Sequence, residues 1–222
     1  MNKNALLLVG VLGASMSAHA ALVDDFTTGA YTSAYINSGN EFANTAASGV
    51  PGGARYTNLA VQSSVNGDDA RVRVATTQGT FAVSNGPGVD ATVRLGYGFS
   101  SAAAAPGSNP LGLNLSTSPI IKINFRSNDL AQPVKATLYL ANNTTISRTV
   151  TAASSFSPFS TSLDFSADAA ALGSVSAITL DFDPASDGDF AITNVSTVPE
   201  PASMAALGLG IAAMLRRRRA SK

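Results

Sequence analysis

The stretch Val134–Leu140, VKATLYL, places an apolar residue at every second position. Three further stretches repeat this period of two: Ala70–Val74 (ARVRV), Val89–Leu95 (VDATVRL) and Ile121–Arg126 (IKINFR). Because successive side chains of a β-strand point to opposite faces, the alternation predicts strands with one buried face and one face in water. This pattern favours antiparallel over parallel sheets.

Between these stretches lie short apolar segments bounded by Gly, Asn, Asp, Ser and Pro, which predict further strands. They are Ala21–Phe26, Arg55–Val61, Thr80–Ser84, Thr145–Val150, Val175–Phe182 and Asp189–Val195. One helix is predicted between the terminal segments, with Ser166 as its N-cap, Ala167–Leu172 as its body and Gly173 as a left-handed stop. Many short strands without a long helical pattern predict an all-β fold, a two-sheet antiparallel sandwich.

The N-terminal segment Met1–Ala20 has the three parts of a secretory signal peptide. Lys3 gives the positive start, Ala5–Leu12 the apolar middle and Ala18-His19-Ala20 the cleavage site between small residues. We therefore expect signal peptidase to cut after Ala20. The segment that follows, residues 21–197, is long enough for one domain with a sizeable core.

The C-terminal segment 198–222 joins Val198-Pro199-Glu200-Pro201 to an apolar run, Ala202–Leu215, and then to Arg216-Arg217-Arg218-Arg219. The two prolines cannot join a helix, so Glu200 is expected in an extended stretch that an enzyme cleft can bind. The apolar run has 14 residues, and as a helix it spans about 21 Å of a hydrocarbon core that is about 30 Å thick. We expect a short transmembrane helix that acts as a temporary stop, with the arginines on the cytoplasmic side.

These three parts, in this order, resemble the PEP-CTERM sorting signal, which is read by the membrane transpeptidase exosortase. The resemblance implies a transient inner-membrane precursor in a Gram-negative-type bacterium. It also implies removal of the tail and transfer of the new C-terminus to an acceptor at the cell surface or in the extracellular matrix. By this resemblance Pro199, Glu200 and Pro201 are the residues that exosortase reads, and the four arginines form the cytoplasmic stop.

The composition of the exported part excludes several functions. Residues 21–201 hold 8 Lys and Arg against 14 Asp and Glu, a formal net charge of −6, so no attraction to DNA or RNA is expected. The chain has no Cys, and its one His is His19 in the signal peptide. Thiolate, Ser-His-Asp and common zinc chemistry therefore lack their residues, and we expect neither an enzyme nor a catalytic cofactor. A carboxylate-only glycoside hydrolase is the distant alternative, although Glu41 and Glu200 are the only glutamates of this part.

Residues 181–189, DFDPASDGD, carry four carboxylates in a predicted strand-turn-strand. Carboxylates crowded in a turn are suitable calcium ligands. Because the first and last strands of a sandwich are often neighbours, Asp24 and Asp25 are expected beside Asp187 and Asp189. We expect a solvated hairpin loop in which Asp and Gly serve as turn formers. The alternative is a structural calcium site formed by these four residues.

The opening Val23–Phe26 (VDDF) and the closing Gly188–Val195 (GDFAITNV) resemble the β-sandwich ectodomains common among PEP-CTERM proteins. Those domains in turn look like jelly-roll carbohydrate-binding modules, so the resemblance implies a jelly-roll-like sandwich. The chain has no Trp, and Tyr139 is the tyrosine that alternation places on the polar face, opposite Leu138 and Leu140. A single exposed tyrosine is more often a plain strand former, which is the expectation for Tyr139, and a ligand-binding role is the alternative.

Two functions follow from these observations. The first is a non-catalytic, exosortase-processed surface or matrix protein that associates with exopolysaccharide in a biofilm. The second is a carbohydrate-binding module with a specific saccharide ligand.

Overall fold

The computed structural model describes residues 21–199, so the predicted signal peptide and the sorting segment from Glu200 onward lie outside the described residues. The described residues form the strands β1 (Ala21–Asp24), β2 (Tyr31–Thr32), β3 (Gly39–Ala46), β4 (Ala54–Ser64), β5 (Ala70–Ala75), β6 (Thr80–Asn85), β7 (Val89–Tyr97), β8 (Ile120–Asn128), β9 (Gln132–Leu140), β10 (Thr145–Ala152), β11 (Phe159–Asp164), β12 (Val175–Phe182) and β13 (Phe190–Val198). Two short 3₁₀ helices, Pro51–Gly53 and Ser166–Ala171, accompany them.

The strands form two antiparallel sheets, which we call sheet A and sheet B. Sheet A has 7 strands in the order β11-β8-β13-β6-β5-β2, with β1 paired to β13. Sheet B has 6 strands in the order β10-β9-β12-β7-β4-β3. The predicted all-β, two-sheet antiparallel sandwich is confirmed.

Period-two alternation decides which side of each sheet faces the core. In β9 the alternate residues from Val134 to Leu140 are buried, whereas Pro133 and Lys135 are exposed. The buried faces of the two sheets meet in an apolar core. Within it Phe182 of sheet B stacks on Phe190 of sheet A, with ring centroids 4.9 Å apart. Aromatic contacts of this kind join the two sheets directly.

The two ends of the sandwich carry different features. One end of the sandwich contains the start of β1, the end of β13 and the β9–β10 turn (residues 141–144), and we call it the termini end. At the end that we call the aspartate end lie the β12–β13 turn (183–189), the β8–β9 turn (129–131) and the β4–β5 loop (65–69). These three connections hold Asp68, Asp69, Asp129, Asp183, Asp187 and Asp189. Much of the negative charge is thus concentrated at the end opposite the two termini.

Each strand predicted from the sequence overlaps an observed strand, but β2, β3 and β11 were not predicted. All three lie at the edges of their sheets. In β3, GNEFANTA, no residue is fully buried, so this strand lacks the alternation that one-sided burial imposes. Edge strands of this kind are held by backbone pairing, which leaves little trace in the sequence.

The predicted helix over Ala167–Leu172 is a 3₁₀ helix, Ser166–Ala171, and both of its predicted boundaries are wrong. Ser166 is the first helical residue rather than the cap, and its backbone N–H donates to Asp164 Oδ1 at 2.8 Å. Gly173 does not have a positive φ. The helix ends with a tight 3₁₀ turn, which needs no left-handed residue.

Candidate functional site

A buried ion pair joins the two sheets. Asp24 of β1 and Arg55 of β4 have side chains that are each 1% exposed. Arg55 Nε donates to Asp24 Oδ2 and Nη2 donates to Oδ1, both at 2.6 Å. The Tyr97 hydroxyl donates to Oδ2 at 2.9 Å, and the Phe26 backbone N–H donates to Oδ1 at 2.8 Å. Four donors therefore satisfy a carboxylate that has no access to water.

The protonation of this network is fixed by its surroundings. Burial raises the pKa of the Tyr97 hydroxyl well above its ordinary value, and the negative charge of Asp24 raises it further. Burial alone would lower the pKa of Arg55, but the hydrogen bonds and charge of Asp24 outweigh burial and raise it. Tyr97 and Arg55 thus keep their protons at physiological pH, which holds them as donors to Asp24.

Asp24 was a predicted ligand only in the calcium-site alternative, and in the structure it pairs with Arg55 instead. The pairing of β1 with β13 shifts register between Leu22 and Asp24. Because of this irregularity Val23 and Asp24 are both buried, where strict alternation would send one of them outward. Asp25 accepts hydrogen bonds from the backbone N–H and the hydroxyl of Thr27, at 3.0 and 2.7 Å.

The other two predicted ligands, Asp187 and Asp189, lie at the aspartate end. Asp189 Oδ1 accepts from the backbone N–H of Asn85, and the N–H of Asp189 donates to Asp129 Oδ1, each at 2.7 Å. Asp187 has a φ of 69° and accepts from the backbone N–H of Gly88. Burial raises the pKa of Asp189, and the charge of Asp129 raises it further.

The structure does not assemble the four-aspartate site that the calcium alternative requires. Within residues 21–199 no three Asp, Glu, His or Cys side chains are grouped so that they could hold a metal ion. The physical reason is that Asp24 is turned inward to Arg55, while Asp189 accepts a hydrogen bond from the backbone of Asn85 at the end of β6 and Asp187 accepts one from Gly88 in the β6–β7 connection. Asp187 and Asp189 thus connect the β12–β13 turn to the neighbouring chain by hydrogen bonds.

Tyr139 lies on the outer side of sheet B, opposite the buried Leu138 and Leu140, as alternation predicts. It is half-buried and lines a pocket of about 260 Å³ at the termini end. The pocket is also lined by Pro106 and Pro110 of the β7–β8 loop, by Asn143 and Thr144 of the β9–β10 turn, and by Ser176. Polar groups and proline rings thus surround one aromatic ring.

The β7–β8 loop is fixed against sheet B beside this pocket. The backbone N–H of Leu111 donates to the Ser176 carbonyl at 3.0 Å, and the N–H of Gly107 donates to the Gly98 carbonyl at 3.0 Å. Ser176 Oγ donates to the Tyr139 carbonyl at 2.9 Å. Gly98 has a φ of +92°, and a Cβ there would lie 2.5 Å from the Ser176 carbonyl oxygen. Glycine is required at this position for the loop to approach the sheet so closely.

Two further features of the outer side of sheet B were not predicted from the sequence. Arg94 Nε donates to Asp181 Oδ1 at 2.5 Å, and this ion pair is partly exposed. Tyr56 stacks on Phe99 with centroids 4.4 Å apart, and Phe42 lies 6.5 Å from Tyr56. Alternation places Arg94 and Asp181 on polar faces of their strands, but their contact depends on the β7–β12 register, which alternation alone does not reveal.

Of the predicted sorting residues, Pro199 is described, and it is half-buried directly after β13. Glu200, Pro201 and Arg216–Arg219 lie outside the described residues. Between residues 21 and 199 the structure contains no helix that is long and apolar enough to cross a membrane. The predicted transmembrane helix over Ala202–Leu215 belongs to the part of the chain that is not described.

Comparison with protein families identifies the function of this C-terminal segment. Residues 197–219 match the family model of the PEP-CTERM protein-sorting motif. The chain carries a PEP-CTERM sorting motif. The resemblance found in the sequence is thereby confirmed, and the motif supports an exported, membrane-passing exosortase substrate of a Gram-negative bacterium. No curated protein matches the chain significantly.

Solved structures with a similar architecture include carbohydrate-binding modules. The family 11 module of the cellulosomal cellulase Lic26A-Cel5E of Clostridium thermocellum is 11% identical, with 83% of this chain and 96% of that chain covered and a TM-score of 0.38. TmCBM61, solved in complex with β-1,4-galactotriose, is 8% identical, with 65% of this chain and 88% of that chain covered and a TM-score of 0.37. At these values the likeness is one of general β-sandwich architecture and gives no information about a ligand for this chain.

Proposed function

We propose that the chain is a non-catalytic protein of the cell surface or extracellular matrix, delivered by exosortase processing and associated with exopolysaccharide in a biofilm. The observation that carries the proposal is the sorting-motif match at residues 197–219, which begins within the last strand of the sandwich. The motif supports export of the sandwich domain and its processing by exosortase. The acidic, polar surface of the domain is compatible with a hydrated matrix.

The environment of the carboxylates supports a role without catalysis. Glu41 is the one glutamate within residues 21–199. Glu41 Oε1 accepts from the Tyr31 hydroxyl at 2.7 Å, and Oε2 accepts from the Ala34 backbone N–H at 2.9 Å. Asp24 is held by Arg55 in the core. Neither carboxylate therefore resembles one of a pair that flanks a substrate bond.

The test replaces Pro199-Glu200-Pro201 by three alanines in the producing cells and follows the protein by cell fractionation and intact mass. We expect this variant to accumulate in the membrane fraction with its tail attached, while wild type reaches the surface without it. Ser203→Ala is the matched control, since it changes the tail and leaves the Pro-Glu-Pro site intact. A triple-alanine variant that reaches the surface without its tail would contradict the proposal.

The Tyr139 pocket favours a second function, the binding of a saccharide. Its volume of about 260 Å³ is slightly below the usual range of about 300–1,000 Å³ for ligand sites. It is therefore suited to a single saccharide residue. The Tyr139 ring offers an apolar surface, while Asn143, Thr144 and Ser176 offer groups for hydrogen bonds to hydroxyls.

A glycan array followed by titration with the best saccharide tests this second function. Tyr139→Ala should weaken binding at least about tenfold, equivalent to about 1.4 kcal/mol. Tyr35→Ala is the matched control, because Tyr35 is 62% exposed and does not line the pocket. Equal loss in both variants, or no binding of wild type to any purified saccharide, would remove this function.

A further inference from the structure

The first and last strands of the domain lie side by side at the termini end. Ala21 of β1 pairs with Thr197 of β13, and Leu22 pairs with Ser196. On its other side β13 pairs with β8 up to its last residue, where Val198 faces Ile120. Thr197 thus lies between two strands and is 1% exposed.

The sorting motif overlaps this paired strand. The family match begins at Thr197, and β13 ends at Val198. Pro199 is therefore both the first residue after the sheet and the first proline of the site that exosortase reads. No connecting segment separates the folded domain from the Pro-Glu-Pro site.

Strand β1 is short, yet it is held firmly against β13. It has 4 residues, and a strand of that length would open easily if pairing alone held it. Val23 is 2% exposed, and Asp24 forms the buried ion pair with Arg55 of sheet B. The ion pair therefore ties β1 to the opposite sheet and keeps the edge of β13 covered near its end.

We infer that β13, covered by β1 and β8, sets a fixed limit on C-terminal processing of the folded protein, and that the chain becomes open to a processing enzyme only after Val198. Enzymes that cut or transfer a peptide bond bind the chain in extended form and need its backbone N–H and C=O groups free. From Val195 to Thr197 the strand has a partner on both sides, β1 and β8, so these groups are engaged in the sheet there. A cut inside the strand would require opening of an inner strand, which costs close to the free energy of global unfolding.

The position of the end of β13 also determines how closely the processing enzyme must approach the folded domain. The identity of the processing enzyme rests on the proposed function. An exosortase that reads Pro199, Glu200 and Pro201 on the folded domain has a single residue between the sheet and Glu200, so it must work directly against the termini end. Because Ala21 pairs with Thr197, the predicted signal peptide and the sorting tail also join neighbouring strand ends. Both segments therefore leave the folded domain from the same place.

Limited proteolysis of the purified full-length precursor with proteinase K, a protease of broad specificity, tests the limit. We expect a protected core that keeps all of β13 and ends within a few residues after Val198, because the protease must also bind free residues before its cut; the C-terminus is read by mass spectrometry. Because proline itself slows many proteases, the matched variant carries Gly-Ser-Gly-Ser-Gly-Ser inserted between Val198 and Pro199. If the strand sets the limit, the core of this variant ends within the insert and loses Pro199-Glu200-Pro201.

Two results would overturn the inference. A core that keeps the whole insert and ends at the prolines would show that the prolines stop the protease, and a core that ends before Thr197 would show that the end of β13 is open. Failure of the proposed function gives a different result, namely surface-located protein from cells that keeps Arg216–Arg219. The precursor assay does not depend on exosortase, so the two failures are distinguishable.

Discussion

Replacement of Arg55 by Met should destabilise the domain strongly, because it leaves a carboxylate buried without its cation. Asp24 would lose two of its four hydrogen bonds and keep those from Tyr97 and the Phe26 backbone. Removal of one partner from a buried ion pair costs about 3–5 kcal/mol. Since Met fills much of the arginine volume and a domain of this kind is stable by about 5–15 kcal/mol, we expect a loss of about 3 kcal/mol with the fold retained.

Urea unfolding of the mature protein measures this loss, with Arg94→Met as the matched control. Arg94 pairs with Asp181 at the surface, where their side chains are 43% and 27% exposed, so its replacement should cost at most about 1 kcal/mol. The double variant Asp24→Asn/Arg55→Met should be less destabilised than the sum of the single variants. Equal losses for Arg55→Met and Arg94→Met, or additive single losses, would refute the buried pair as the link between β1 and sheet B.

Three further outcomes are expected. Gly98→Ala should lower the free energy of unfolding by about 2–3 kcal/mol, measured by thermal unfolding, since its Cβ would lie 2.5 Å from the Ser176 carbonyl oxygen at a φ of +92°. The control Gly112→Ala, at a φ of +61° with open space around it, should cost about 1 kcal/mol. Equal costs would contradict the close approach of the loop to Ser176. Burial and the charge of Asp90 raise the pKa of Asp183, so its ionised form disfavours folding as the pH rises through that pKa. Asp183→Asn should therefore stabilise the protein at neutral pH by at most about 0.5 kcal/mol. This advantage should disappear below about pH 3, where Asp183 is protonated, and should shrink in high salt, which screens the charge of Asp90 but leaves the effect of burial. A destabilised variant at neutral pH would contradict the raised pKa. Millimolar calcium should change the melting temperature by no more than about 1 °C, because Asp24 is paired with Arg55. A clear rise that disappears in Asp189→Asn would contradict the separation of Asp24 from Asp187 and Asp189.

The sequence is sufficient to predict the strands that are buried on one side. In VKATLYL one-sided burial imposes a period of two, so both the strand β9 and the outward side of Tyr139 could be predicted. The inward turn of Asp24 could not be predicted, because it follows from a register shift against β13, and register is a property of the strand pair. The pocket beside Tyr139 could not be predicted from the sequence either, because it depends on how the β7–β8 loop folds back on Ser176.

The sorting motif could be predicted because it is linear: two prolines around Glu200, an apolar run and an arginine cluster are complete in the sequence itself. Its junction with the domain is a three-dimensional property. That Thr197 belongs both to the motif and to a strand paired with Ala21 appears only when the first and last strands are seen together.

The most direct test of the account is the mass of the mature protein, isolated from the surface of the producing cells and sequenced at both ends. We predict an N-terminus at Ala21 and a C-terminus between Val198 and Pro201, alone or joined to an added acceptor group. Surface protein that retains Ala202–Leu215 and the arginines 216–219 would contradict export by exosortase processing.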